Sequence, residues 1–285
     1  MKINSLSPQS NNFLQIITTI ALVPKKLYFI GNLPTERRPT VAIVGTRKPS
    51  TYGKEVTYKI AYELAKRGVV IVSGLALGVD AIAHRAALDA GGTTIAVLAN
   101  GLPAIQPATN RQIGEDIVAK GGAIITEYPP DTDARVHHFL ARNRIVSGLS
   151  DATIITEAAA KSGTLNTAGH TLEQGRELCV VPGNITSPLS AGCNHLLKQG
   201  AHPITSAQDI LEIIAPDLLQ PQTQLALGDN PLQTQILQLI QSGTRDGDEL
   251  QRLTKLPVST FSTELTMLEL NGMIRSLGGN QWTIT

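Results

Sequence analysis

Six short apolar runs rich in β-branched residues, separated by helical stretches, constrain this chain more than any other feature. They cover residues 41–45, 69–73, 94–98, 123–126, 152–156 and 178–182. Each is apolar at successive rather than alternate positions, as in strands covered on both faces of a parallel sheet. Residues 54–67, 79–90 and 110–120 between them read as helices, with Gly68, Gly91 and Gly121 as C-terminal stops. Six strand–helix alternations predict a doubly wound, mostly parallel α/β sheet, Rossmann-like in type.

The remainder divides by composition. Residues 1–35 hold one helix and an extended lead-in at most, and 36–215 carry the α/β pattern. Residues 216–230, with three Gln, two Pro, Gly228 and Asn230, read as a linker. Beyond it Leu232, Ile236, Leu237, Leu239 and Ile240 form one helical stripe. Two more helices follow, near 246–253 and 258–270, then two short β runs around Gly278-Gly279. Three helices and a hairpin predict a small winged-helix domain over 231–285.

Composition narrows the function. The 24 Lys and Arg against 23 Asp and Glu leave a formal charge of +1, so any phosphate-binding surface must come from placement rather than bulk charge. Aromatics at 4% argue against a platform of stacked bases, and 42% hydrophobic residues exclude a disordered chain. Cys179 and Cys193 stand fourteen positions apart with no CxxC pattern, which indicates neither a disulfide framework nor a zinc site. The longest apolar stretch, 13–23, is eleven residues, short of the ~20 a spanning helix needs. The expectation is a cytoplasmic protein with no membrane contact and no cofactor.

Ligands of such sheets bind beyond the carboxyl ends of the strands. The first strand opens into Gly45-Thr46-Arg47-Lys48-Pro49-Ser50, which is no dinucleotide fingerprint but sets Arg47, Lys48 and the Ser50 hydroxyl beside a helix N-terminus. Read alone, Arg47 and Lys48 are more simply solvated loop charges. The second strand ends in a turn flanked by Gly74 and Gly78, which either admits a phosphate close to the backbone or simply needs positive φ. Asp80 and His84, at i and i+4, suit a hydrogen-bonded pair holding that turn better than a metal site without a third ligand. Arg142, Asn143 and Arg144 fall at an expected helix entrance. Lys161-Ser162-Gly163-Thr164 opens another helix after Glu157. Arg47, Lys48, Arg142, Arg144 and Lys161 would together make one basic rim.

In order, GTRKPSTYG (45–53), SGLALGVDAIAH (73–84), TIAVLANGL (94–102), FLARNRIVSGLS (139–150), EAAAKSGTLNTA (157–168) and VVPGN (180–184) with AGCNHLLKQGA (191–201) resemble the DprA, or Smf, family of DNA-processing proteins. The resemblance covers roughly residues 25–215, and the C-terminal part is similar to the winged-helix domain many members carry. It implies an extended Rossmann-like core that binds single-stranded DNA without catalysis, forms a homodimer, protects incoming DNA and helps load the recombinase RecA in natural transformation. Single-strand-binding protein is a further implied partner. By motif, the resemblance places Arg47, Ser50, Gly74, Gly78, Phe139, Arg142, Asn143 and Arg144 in the DNA pocket, with Phe139 stacking on a base; Lys161, Ser162, Gly163 and Thr164 add a phosphate contact. Leu140 stands where members commonly have Pro, and Gln106-Pro107 where Tyr-Pro is usual. Many members also begin with a helical domain for which this chain has too few N-terminal residues. These departures bear on partner contacts and fine DNA geometry rather than on the core.

The C-terminal part has four basic residues from Pro231 onward (Arg245, Arg252, Lys255, Arg275) against five acidic ones. Its third helix offers no Arg or Lys, so a protein-contact or weak DNA module is expected. An alternative for the core is the related lysine-decarboxylase-like family of nucleoside monophosphate phosphoribohydrolases. There, Thr167 stands at the place of the catalytic Glu and the PGG of that motif is absent, leaving general acid–base work without an agent.

Overall fold

Apolar runs buried on both faces need neighbours on both edges and helices above and below, and each run finds them. A computed structural model of the chain describes residues 2–219 and 230–284. It separates into two units, residues 1–218 and 219–285. Positions 220–229 of the expected linker lie outside the described residues, and Pro216–Leu218 form a single 3-10 turn.

In the first unit β1 (Asn4–Leu6) and β2 (Leu27–Gly31) precede the repeating part. That part runs β3 (Thr40–Val44), α1 (Thr51–Lys66), β4 (Val70–Ser73), α2 (Val79–Asp89), β5 (Thr94–Val97), α3 (Arg111–Ala119) and β6 (Ala123–Thr126). It continues through α4 (Val136–Gly148), β7 (Ala152–Ile155), α5 (Thr164–Glu173), β8 (Glu177–Val180), α6 (Ala191–Lys198), β9 (His202–Pro203) and α7 (Ala207–Ile214). All nine strands form one sheet, in the order β1-β2-β6-β5-β4-β3-β7-β8-β9. From β6 to β9 the pairings are parallel; β2 adds antiparallel to β6, and β1 antiparallel to β2.

Successive residues of one strand feed opposite layers. Ile95 and Val97 pack with Phe13, Leu14 and Ile17, whereas Ala96 and Leu98 pack with Leu102, Ile113 and Ile117. Each such fully buried aliphatic side chain contributes about 1.5–3 kcal/mol. Because β3 lies mid-sheet and the chain winds outward first on one side and then on the other, order reverses between β3 and β7. That is where a crevice opens at the carboxyl ends.

The N-terminal segment differs from the expected helix and lead-in. It supplies two strands and two 3-10 turns, Pro8–Ser10 and Gln15–Thr19, and Phe13, Leu14 and Ile17 are fully buried. Three arginines hold this strap. Arg37 lies over the Phe13 ring at 5.5 Å, Arg144 Nε donates to the Leu22 carbonyl at 3.0 Å, and Arg176 Nη2 donates to the Ile16 carbonyl at 3.2 Å.

The second unit has the three helices and hairpin of a winged helix: α8 (Pro231–Gln241), α9 (Gly247–Thr254), α10 (Val258–Leu270), β10 (Ile274–Gly278) and β11 (Gln281–Ile284). Ile236, Leu237 and Ile240 of α8 meet Leu250, Phe261, Leu265, Leu268 and Ile274 in one small core. Asp246 caps α9, accepting from the Asp248 and Glu249 amides, and Gly278, Gly279 and Asn280 turn the hairpin at positive φ. Among the described residues no helix is long and apolar enough to cross a membrane.

Candidate nucleic-acid interface

A cleft of about 390 Å³ opens at the β3/β7 reversal. Val44, Thr46 and Arg47 reach it from the end of β3, Ala76 from the β4–α2 turn and Asp80 from the first turn of α2. Phe139, Leu140, Arg142 and Asn143 of α4 form one wall; Lys161, Ser162, Gly163, Thr164 and Thr167 form the other. Eight of the thirteen residues expected at the DNA site thus line one cavity.

The loop carrying Arg47 is fixed by backbone. Thr46 N donates to the Glu157 carbonyl at 2.8 Å, and Val79 N to the Thr46 carbonyl at 3.2 Å. Gly78 is at φ +76°, and a Cβ there would stand 2.6 Å from the carbonyl carbon of Arg47. Gly78 is therefore a close-approach residue beneath the loop. Gly74 has the same role one turn away: a Cβ would stand 2.7 Å from Arg142 Nη1.

Ser50 is not turned to the cleft. Its hydroxyl donates to Glu157 Oε1 at 2.7 Å and accepts from Gly53 N, while its amide donates to Glu157 Oε2 at 2.8 Å. Glu157, 2% exposed, needs these donors, and the N-terminus of α1 favours its charge. The helix end expected to receive a phosphate is thus filled by an internal carboxylate. Sequence reasoning gave Glu157 no role, although an acid just past a β-branched strand was its signal.

The Arg-Asn-Arg triplet lies in the middle of α4, not at a helix entrance. Arg142 is 4% exposed; its Nη1 donates to the carbonyls of Gly74, at 2.7 Å, and of Val97. Burial lowers its pKa, with the Asp80 charge opposing the shift. Asn143 Nδ2 donates to Asn166 Oδ1 at 3.2 Å. Arg144 does not line the cleft. Its guanidinium grips both carboxylate oxygens of Glu127, at 2.7 and 2.6 Å, so the expected five-cation rim loses it to an internal partner.

The expected Asp80–His84 pair does not form. Asp80 Oδ2 accepts from the Gly74 and Ala76 amides, and burial raises its pKa against the pull of Arg142. His84 Nδ1 meets Thr94 Oγ1 at 2.7 Å, and Thr94 spends its proton on the Ile71 carbonyl. The ring therefore carries its proton on Nδ1, leaving Nε2 buried without a partner. Burial, with Arg142 nearby, pushes the His84 pKa down to about 3. The unfolded chain thus binds a proton that the folded chain refuses between pH ~6.5 and that value. Stability from this site is complete above pH ~6.5 and drains as pH falls, by up to ~1.4 kcal/mol per unit. Thermal melts from pH 7 to 5 should show a steeper decline for the parent protein than for His84→Leu; parallel declines would remove His84 as the cause.

Three cations stay free. Arg47, Lys48 and Lys161 are exposed and form no ion pair among the described residues. The Arg47 guanidinium lies 5.7 Å over the Phe139 ring. Lys48 sits outside the cavity lining, while Lys161 enters it ahead of Ser162, whose hydroxyl accepts from Thr164 N at 3.2 Å. Around Gly163 there is open space, while the first amides of α5 are taken by Ser162 and by the Gly163 carbonyl. The cleft therefore offers an apolar ring and two exposed positive charges, a set suited to a phosphodiester carrying a base. Among the described residues no cluster of His, Cys, Asp and Glu could hold a metal ion. Burial pushes the thiols of Cys179 and Cys193 up to about 12 and about 11, which makes both poor nucleophiles.

Comparison with known proteins bears on the family and the fold. The family model described as DNA recombination-mediator protein A matches residues 4–215, and that of the DprA winged helix domain matches residues 220–280. The chain is 41% identical over 211 residues to DNA processing protein DprA of Bacillus subtilis (strain 168), across 74% of this chain and 71% of that one. The solved DNA processing protein A of Streptococcus pneumoniae superposes with a TM-score of 0.70 at 38% identity, over 75% of each chain. A structure of DNA processing protein A from Helicobacter pylori, described for its single-stranded DNA binding mode, superposes at 0.66 with 37% identity, over 74% of this chain and 95% of that one.

Proposed function

This chain belongs to the DNA recombination-mediator protein A family, and from that premise we propose that it is a non-catalytic, cytoplasmic single-stranded DNA-binding protein. In this reading it works as a homodimer, protects incoming strands and loads RecA onto them during transformation or recombination, with single-strand-binding protein as a further partner. The observation that carries it is the pair of exposed cations, Arg47 and Lys161, lining the same cleft as the part-buried Phe139, over whose ring Arg47 lies, in a space large enough for an unpaired nucleotide. A stacked, paired base cannot present its face to Phe139, whereas a single strand can.

The lysine-decarboxylase-like alternative would need a carboxylate free to act on a glycosidic bond. Asp80, which reaches the cleft, is committed to the Gly74 and Ala76 amides, and Thr167 holds the position of the catalytic acid. The winged-helix domain is assigned to a protein contact, because α10 carries no Arg or Lys and exposes Val258, Met267 and Leu270.

The test is binding of the full chain to a labelled single strand and to the matching duplex across salt. Each phosphate neutralised on a single strand adds ~0.7 to the log–log slope. Single-strand preference with a shallow slope of about 1–2 is expected for two or three cations. Equal affinity for duplex, or binding that ignores salt, overturns the DNA reading. The loading step is read separately, as faster RecA assembly on strands coated with single-strand-binding protein; an unchanged rate removes it.

A further inference from the structure

We infer that Arg142, Asn143 and Arg144 form a positioning bracket that fixes the cleft wall, and that strand phosphates meet Arg47 and Lys161 instead; the DNA part of this rests on the single-strand reading above. The first argument is helical geometry. Cations meant to follow a phosphate backbone along a helix must recur at i, i+3 or i+4, whereas consecutive residues point about 100° apart. The triplet fans out over α4 and reaches three different neighbours.

Arg142 ties α4 to the ends of β4 and β5 through the Gly74 and Val97 carbonyls. Asn143 ties it to α5 through Asn166. Arg144 ties it to Glu127 just past β6, and to the N-terminal strap through Leu22. The Arg144 carbonyl also accepts from Gln174 at the end of α5 at 2.9 Å.

Donor accounting is the second argument. A guanidinium has five N–H groups. Those of Arg144 serve Glu127 twice, Leu22 once and the Ala141 carbonyl once. With its side chain 12% exposed and that of Glu127 17% exposed, Arg144 has almost nothing left for a ligand. Phe139 precedes Arg142 by three positions and Asn143 by four, and so shares their helical face. Whatever clamps the triplet therefore sets where the Phe139 ring stands in the cleft.

The two roles predict opposite signs for one substitution. If Arg144 contacted phosphate, Glu127→Gln would release it and tighten single-strand binding. As a bracket, Glu127→Gln and Arg144→Gln should each weaken binding about 3- to 30-fold at unchanged salt slope, because no phosphate contact is lost. Arg144→Lys keeps the charge but not the two-pronged grip, and should weaken binding as well. The exchanged pair, Glu127→Arg with Arg144→Glu, should recover part of the affinity.

Hydrogen exchange without DNA supplies the readout that does not depend on DNA binding: α4 amides should exchange faster in both Gln variants. Tighter binding by Glu127→Gln, a slope reduced by ~0.7 in Arg144→Gln, or unchanged α4 exchange overturns the bracket. A parent protein that ignores single strands overturns the DNA reading instead, and leaves the exchange result to judge the bracket.

Discussion

Removing Arg47 and Lys161 together, as Arg47→Ala with Lys161→Ala, is expected to lower affinity for a single strand by roughly a hundredfold or more. Each charged hydrogen bond is worth ~1.5–3 kcal/mol, and every ~1.4 kcal/mol is a factor of ten. Both side chains are exposed and make no ion pair among the described residues, so their loss leaves no buried partner stranded. Melting temperature should therefore hold while the log–log salt slope falls by ~1.4, the share of two phosphates. Arg47→Ala alone also uncovers one face of Phe139. Anisotropy of a labelled strand across salt measures both quantities. If affinity and slope are both retained, phosphate is held elsewhere and the cleft is not the DNA site.

Gly78→Ala should be strongly destabilising. The residue sits at φ +76° and ψ −123°, a region essentially reserved for glycine, and a methyl there costs ~1–3 kcal/mol in backbone strain. The new Cβ also meets the Thr46 and Arg47 backbone, which cannot swing aside as a side-chain tip can. Adding that overlap gives about 3 kcal/mol or more. In a unit of this size the melting temperature should fall by ~6–12 °C. DNA affinity should fall as well, because the segment displaced is the one that carries Arg47. An unchanged melting curve would mean that the β3–α1 loop yields freely, contrary to its hydrogen bonds to Glu157 and Val79.

The sheet was legible because both-face burial writes an unbroken apolar run for each strand, and all six runs became strands within a residue or two. β1 and β2 were not legible: three- and five-residue antiparallel strands joined by 3-10 turns carry no helical period, and the Phe13–Ile20 cluster mimics one. At the cleft, loop position relative to strand ends was enough to gather Arg47 and residues 161–164, whereas Phe139, Arg142 and Asn143 came from the family motif and lie within α4. What a side chain does there depends on partners far along the chain. Ser50 and Glu157 are 107 positions apart, and Arg144 and Glu127 are 17. No local spacing distinguishes an arginine with such a carboxylate from one without. Asp80 and His84 illustrate the reverse error, since shared helical face did not make them partners; the Gly74 and Ala76 amides and Thr94 lay closer to hand.

The order of the sheet also governs how this protein avoids sticking to itself. Parallel central strands made almost wholly of Val, Ile and Ala would be strong templates for intermolecular β-pairing if any stood at an edge. None does. On one side β6 is covered by β2, and the outermost strand is the three-residue β1. On the other, β8 is covered by a two-residue strand that ends in Pro203, which has no backbone N–H to offer an incoming chain. The most aggregation-prone segments of the chain are thus held between short borders that leave little for another strand to extend.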